Sequence, residues 1–170
     1  GGLIDQYSEQ LDSLKKQANK SGTAEDLQNY GIAQYATGDY SGAIKTYEKQ
    51  IAVDPNNTLA HSGLANALRD DKQFDQSIAE YKKVIALEPT RITAYVNLAS
   101  VYQYSLKQID QAIAIYEQGI KATKSSDLYL LKAMAYEQVG DMASAKVAYN
   151  QVLVISPGNV VAKTALERIK

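Results

Sequence analysis

The sequence predicts an all-α chain of repeated helical hairpins, and three regularities carry that prediction. Gly31, Ala65, Ala99 and Ala133 stand 34 residues apart, each at the same place in an apolar pattern. A second small residue follows in each copy with a tyrosine four positions on: Ala43 with Tyr47, Ser77 with Tyr81, Ala112 with Tyr116, and Ala145 with Tyr149. Pro55, Pro89 and Pro157 then close three of the four copies. A fixed period of this length marks one supersecondary unit that buries its apolar face by stacking on its neighbours.

Numbered from the first helix, the units are 24–57, 58–91, 92–125 and 126–159. Their first halves carry apolar or small residues at helical spacing: Leu27, Tyr30 and Gly31; His61, Leu64, Ala65 and Leu68; Tyr95, Leu98, Ala99 and Tyr102; Tyr129, Ala133 and Tyr136. The second halves repeat it with Ile44, Tyr47 and Ile51; Ile78, Tyr81 and Ile85; Ile113, Tyr116 and Ile120; Tyr149 and Leu153. Small residues recur where two helices approach closely, so a large side chain at Ala43 or Ala99 is expected to overpack the hairpin by about 1–3 kcal/mol. Gly38-Asp39 and Gly140-Asp141 suit a left-handed helix end followed by a turn. The prolines fall at the end of the second helix or in the turn after it.

Unit three departs from this pattern. Seven residues separate Tyr102 from Ile109 where six separate Gln34 from Tyr40, and the stretch from Lys124 to Ala133 is one residue short. The expected result is a compensated pair of indels in two turns, the sharper alternative being a bulge shaped for a ligand. At the ends, residues 160–170 offer a capping helix with Val161, Ala165, Leu166 and Ile169 on one side. Residues 1–23 hold an amphipathic helix with Ile4, Tyr7, Leu11, Leu14 and Ala18 at alternating three and four spacing. It reads as an intramolecular cap, with a dimerising helix or the lead from a membrane anchor as alternatives.

The period, the two small residues, the tyrosine and the terminal proline resemble the tetratricopeptide repeat (TPR) family over residues 24–159. The resemblance implies a right-handed superhelical solenoid of antiparallel helix pairs, four such hairpins plus terminal capping helices. It also implies a concave groove lined by the first helix of each unit, at places two, five, nine, twelve and thirteen. Carried over, that groove presents Gln28, Ile32 and Tyr35; Ser62, Asn66, Arg69 and Asp70; Val96, Ser100, Gln103 and Tyr104; Leu130, Met134, Glu137 and Gln138. Amides there can pair with an extended backbone while the apolar side chains and tyrosines supply contact area. A subclass that grips chaperone C-termini with Lys and Arg is not matched, because Gln28, Ile32, Gly63, Thr93 and Asn97 occupy the clamp places and Arg69 is the only groove cation. Asp70 and Glu137 are expected to receive a basic side chain from a partner.

Composition narrows the function. Eighteen basic and 19 acidic residues give a formal charge of −1, which offers no broad attraction to nucleic acid or anionic lipid. There is no cysteine and one histidine. Gly-rich phosphate loops, paired-histidine metal spacing and nucleophile elbows are missing from the sequence, so no catalytic, cofactor-binding or metal residue is expected. His61 falls at a packing place and is expected in the core; Asp70-Asp71 lacks a third ligand nearby. No apolar run approaches the length of a membrane span. Gly1-Gly2 reads as a cloning remnant, so membrane association is expected only through a segment outside this sequence, and the compartment stays open between cytoplasm and an anchored or exported protein. The expected function is a non-enzymatic scaffold or adaptor that binds a peptide or helical segment in the groove. The alternative is a self-associating assembly protein using the N-terminal helix or the solenoid ends.

Overall fold

A computed structural model describes residues 2–169; Gly1 and Lys170 of the terminal segments lie outside the described residues. The described chain is all-α: α1 (Leu3–Ser21), α2 (Ala24–Ala36), α3 (Tyr40–Val53), α4 (Thr58–Asp70), α5 (Phe74–Leu87), α6 (Ile92–Ser100), α7 (Ile109–Thr123), α8 (Ser126–Gln138), α9 (Met142–Ile155) and α10 (Val160–Arg168). They group into two compact units, one running to Glu88 and one from Pro89. Among the described residues no helix is long and apolar enough to cross a membrane.

Local chemistry sets the helix starts. Thr23, Asp39, Asn57, Ser125, Asp141 and Asn159 each accept a hydrogen bond from a backbone N–H of the turn they open, satisfying a donor that the helix itself leaves without a partner. Between the two helices of a hairpin the chain passes through the left-handed region, at Gly38 (φ 83°) and Gly140 (φ 82°) as expected, but also at Lys72 (φ 63°) and Lys107 (φ 59°). Pro55, Pro89 and Pro157 sit in the turns between hairpins.

In the first unit α1 packs on α2, and α2–α3 and α4–α5 form hairpins. Its core includes Ala43, Tyr47, Leu64, Ala67 and Leu68. The Tyr47 ring is clamped between two glycines: a Cβ on Gly31 would meet it at 2.8 Å and one on Gly63 at 2.5 Å. His61 is buried at 3% exposure, its Nδ1 2.6 Å from Glu80 Oε2 and its Nε2 2.9 Å from the Pro55 carbonyl. In the second unit Tyr95, at the equivalent place, donates to the Pro89 carbonyl at 2.8 Å. Both rings therefore tie a helix to the proline turn that precedes it.

The second unit holds α6–α7, α8–α9 and α10. Ala133, Ala145, Ala148, Tyr149 and Val152 are buried against Ala162 and Ala165 of α10. Leu166 and Ile169 pack there as the sequence suggests, but Val161 does not: it is 55% exposed, because the buried stripe of α10 runs through Ala162 and Ala165.

The extra residue of unit three is not in a turn. It is absorbed as a π-helical turn, Val101–Ser105, that extends α6. The backbone bond that closes each hairpin turn shows the register: Asp39 to Gln34, Gln73 to Leu68 and Asp141 to Tyr136 span five residues, whereas Gln108 to Tyr102 spans six. A π turn accommodates one more residue without rotating the faces on either side, so the closing bond survives. The compensating loss does fall in a turn. Only Lys124, in the left-handed region (φ 56°), and the N-cap Ser125 separate α7 from α8.

Candidate functional site

Several of the side chains expected to line a ligand-binding face form two hydrogen-bonded groups, one in each unit. In the first, Arg69 donates to Asp70 through Nε at 2.7 Å and Nη2 at 3.2 Å, and Nη2 also reaches the Tyr35 hydroxyl at 3.3 Å. The Tyr35 hydroxyl donates to Asp70. The Tyr81 hydroxyl donates to Asn66 Oδ1 at 2.5 Å and accepts from Arg69 Nη1 at 3.4 Å. Tyr35, Asn66, Arg69 and Asp70 are thus brought together. Gln28, Ile32 and Ser62 lie half-buried outside this network, with the Ser62 hydroxyl turned back to the Thr58 carbonyl.

In the second unit the π turn brings Gln103 inward, to 3% exposure. Its Oε1 accepts from the Tyr116 hydroxyl at 3.0 Å and its Nε2 donates to Gln138 Oε1 at 2.7 Å. Glu137 Oε2 accepts from Arg168 Nη2 at 2.6 Å, while its Oε1 is buried without a hydrogen-bond partner. Tyr104 and Met134 remain exposed, at 55% and 46%. Val96, Ser100 and Leu130 are half-buried. A cavity of about 630 Å³ opens between α8 and α10, lined by Met134, Gln138, Val160, Val161 and Thr164 with the Glu137–Arg168 pair in its wall.

One rule recurs in both units. The place-twelve side chain of one repeat bonds the place-thirteen side chain of the next, Tyr35 to Asp70 and Gln103 to Gln138. A second-helix tyrosine adjoins each link: Tyr116 bonds Gln103 directly, and Tyr81 reaches Asp70 only through Arg69. Sequence reasoning places Tyr81, Tyr116 and Tyr149 in the core, and their rings are there, but the Tyr81 and Tyr116 hydroxyls bond side chains of the candidate face. The signal was present: thirteen tyrosines against one phenylalanine is the composition expected where the hydroxyl matters as well as the ring. Arg168 and the α10 side of the cavity lie outside the four repeats and carried no such signal.

The electrostatics follow from these contacts. Burial pulls the Asp70 carboxyl upward, but hydrogen bonds from Arg69 and Tyr35 outweigh it and hold Asp70 below the usual carboxylate range. The Tyr149 hydroxyl, followed by Arg168, does the same for Glu137 against its own burial. Burial, reinforced by Asp70, pushes the Tyr35 hydroxyl up to about 12; burial likewise takes Tyr81 and Tyr116 to about 12. All three remain proton donors at neutral pH. Asp70 and Glu137, expected to await a basic group from a partner, already have a cation within the chain. Among the described residues no group of three or more His, Cys, Asp or Glu side chains could hold a metal ion, and Asp71 instead accepts from Gln73.

Two family profiles match along the chain, one described as "TPR repeat" over 31–71 and 65–103, the other as "Tetratricopeptide repeat" over 92–125 and 126–159. The chain belongs to the tetratricopeptide repeat family. Residues 31–159 are covered by these matches together. Among curated proteins, the Small glutamine-rich tetratricopeptide repeat-containing protein 2 of Mycosarcoma maydis is 28% identical over 112 residues, 66% of this TPR chain but 31% of that protein. Among solved structures, MamA is 25% identical with a TM-score of 0.67, covering 86% of this chain and 80% of its own. The C-terminal part of a TPR repeat-containing protein from Cytophaga hutchinsonii superposes with a TM-score of 0.80 at 20% identity, covering 98% and 67%. YrrB, described as a TPR protein with an unusual peptide-binding site, gives 0.65 at 14% identity, covering 92% and 81%. TPR proteins are generally non-enzymatic protein–protein interaction scaffolds, and the fold implies protein partners.

Proposed function

We propose that this protein is a scaffold that binds a peptide or helical segment along the first-helix faces of its repeats. The observation that carries the reading is the linkage of place twelve to place thirteen. It holds Tyr35, Asp70, Gln103 and Gln138 in fixed positions, so little side-chain entropy remains to be lost when a ligand docks. Beside this rigid polar floor, Tyr104 and Met134 supply exposed contact area of the kind that anchors interfaces. The peptide-binding site ascribed to YrrB is consistent with this use of the fold.

The test is affinity capture with the wild-type chain beside a Tyr104→Ala, Met134→Ala variant. Partners captured by the first and absent from the second are the expected result. Equal capture by both sinks the reading.

A second reading is self-association through the ends, supported by exposed apolar side chains at Ile4 of α1 and at Val154 and Val160 near α10. Sedimentation of the chain, and of a form lacking residues 1–20, separates the two readings. A monomer at all concentrations in both forms excludes it.

A further inference from the structure

The second helices of the four repeats align on their tyrosines, and the places that point away from the core differ in the last. Four such places, six and two before the tyrosine and one and five after it, form a stripe with spacings of four, three and four. They hold Ser41, Lys45, Glu48 and Ala52 on α3, Asp75, Ala79, Lys82 and Ala86 on α5, and Asp110, Ala114, Glu117 and Lys121 on α7. Each of those stripes carries at least two charges, as a solvated face should. On α9 the same places hold Ala143, Val147, Asn150 and Val154, with no charge at all. They lie opposite the buried Ala145, Ala148, Tyr149 and Val152, and Val147 and Val154 are 65% and 73% exposed. Valine is a poorer helix former than the alanine or lysine at these two places in the other repeats, so α9 itself gains nothing from it.

We infer that this stripe is a contact with a second copy of the chain, α9 of one copy packing on α9 of the other about a two-fold axis. This rests on the self-association reading above and moves its contact from the ends to the outer side of α9; the groove reading is independent of it. Alternating spacing of four and three is that of helices that pair along a seam, and a lone asparagine in such a seam fixes register and the number of strands. Its amide is both donor and acceptor, so the same residue on a copy can satisfy it. Charge favours a copy over a charged segment: Lys146 is the one charged residue of α9, and a chain of net charge −1 sets up little repulsion between copies. A recess of about 300 Å³ beside the stripe, lined by Tyr129, Tyr136, Val147 and Gln151, gives an apolar side chain of the copy a place to enter. The helix has 14 residues, about 21 Å, so the seam falls short of the roughly 800 Å² per partner of a standard interface and the dimer is a weak one.

The experiment is sedimentation velocity of the whole chain from about 5 to 500 µM, a range that reveals a weak dimer. The sedimentation coefficient is expected to rise with loading from that of a monomer to that of a dimer. Val147→Glu combined with Val154→Glu, and Val147→Lys combined with Val154→Lys, keep the helical content and unfolding temperature but stay monomeric at the highest loading. Mixed in equal parts, the two variants form a heterodimer at about 50 mM NaCl that about 500 mM disperses, because opposite charges now face one another across the seam. Ile4→Lys and Val160→Lys, at exposed places on α1 and α10, leave the dimer unchanged. Doubly substituted chains that still dimerise alone, or a mixture that stays monomeric, overturn the inference. Should Ile4→Lys or Val160→Lys then abolish the dimer, self-association through the ends stands without it. An unsubstituted chain that is monomeric throughout overturns both and leaves the stripe to a different protein.

Discussion

At the scale of single residues, the repeat specifies side chains by what they touch on two helices at once. Tyr47 is the clearest case, because both residues against its ring are glycine. Gly63→Ala gains about 1 kcal/mol in helix propensity but brings a methyl group to within 2.5 Å of a buried ring, which costs about 1–3 kcal/mol. We expect overpacking to win, with a net loss of up to about 2 kcal/mol in chemical unfolding. His61 offers a graded comparison. His61→Leu leaves the Pro55 carbonyl and one Glu80 oxygen without their partner and should cost about 1–3 kcal/mol. His61→Tyr should cost less, because Tyr95 already makes the same carbonyl bond in the second unit. Burial of His61 follows from its place in the period, whereas its bonds to Glu80 and Pro55 join residues 19 and 6 positions away, which no local pattern announces.

At the scale of elements, the hairpin turn requires one residue in the left-handed region in every repeat, and only two of four repeats use glycine there. For an L-residue with a Cβ this conformation costs about 1–2 kcal/mol. Lys72→Gly and Lys107→Gly should therefore each stabilise the chain by about 1 kcal/mol, raising the unfolding temperature by roughly 2–4 °C, and add when combined because they lie in different units. Equal or lower unfolding temperatures would show that the lysine side chains contribute something their exposure does not suggest. The helices themselves were legible from spacing and caps. The π turn was not: seven residues where six are usual announces an extra residue, but whether it enters a turn or a helix depends on which backbone bonds survive, and that is decided by tertiary packing.

At the scale of the whole molecule, the array is legible because repetition multiplies a weak local pattern fourfold. The candidate site is less so, since its polar links connect residues 35 apart whose pairing depends on how successive hairpins stack. The acid limb of stability tests those links. Asp70 and Glu137 are held below their ordinary values of 3.8 and 4.5, so folded carboxylates bind protons less readily than unfolded ones. The stabilisation is present above those ordinary values and is lost as pH falls through the lowered ones. Denaturant titrations at a series of pH values should show a decline below about pH 4.5 that Asp70→Asn and Glu137→Gln each make shallower; an unchanged slope in both would mean that the pairs do not persist in solution. The third repeat has one more consequence. Its gain, absorbed inside a helix as the π turn, and its loss, taken from the turn before α8, return the period to 34 residues within a single cassette. That cassette is interchangeable as a whole: residues 92–125 can be exchanged as a block with another repeat, while a crossover between its two helices carries one change without the other and leaves the period one residue long or short.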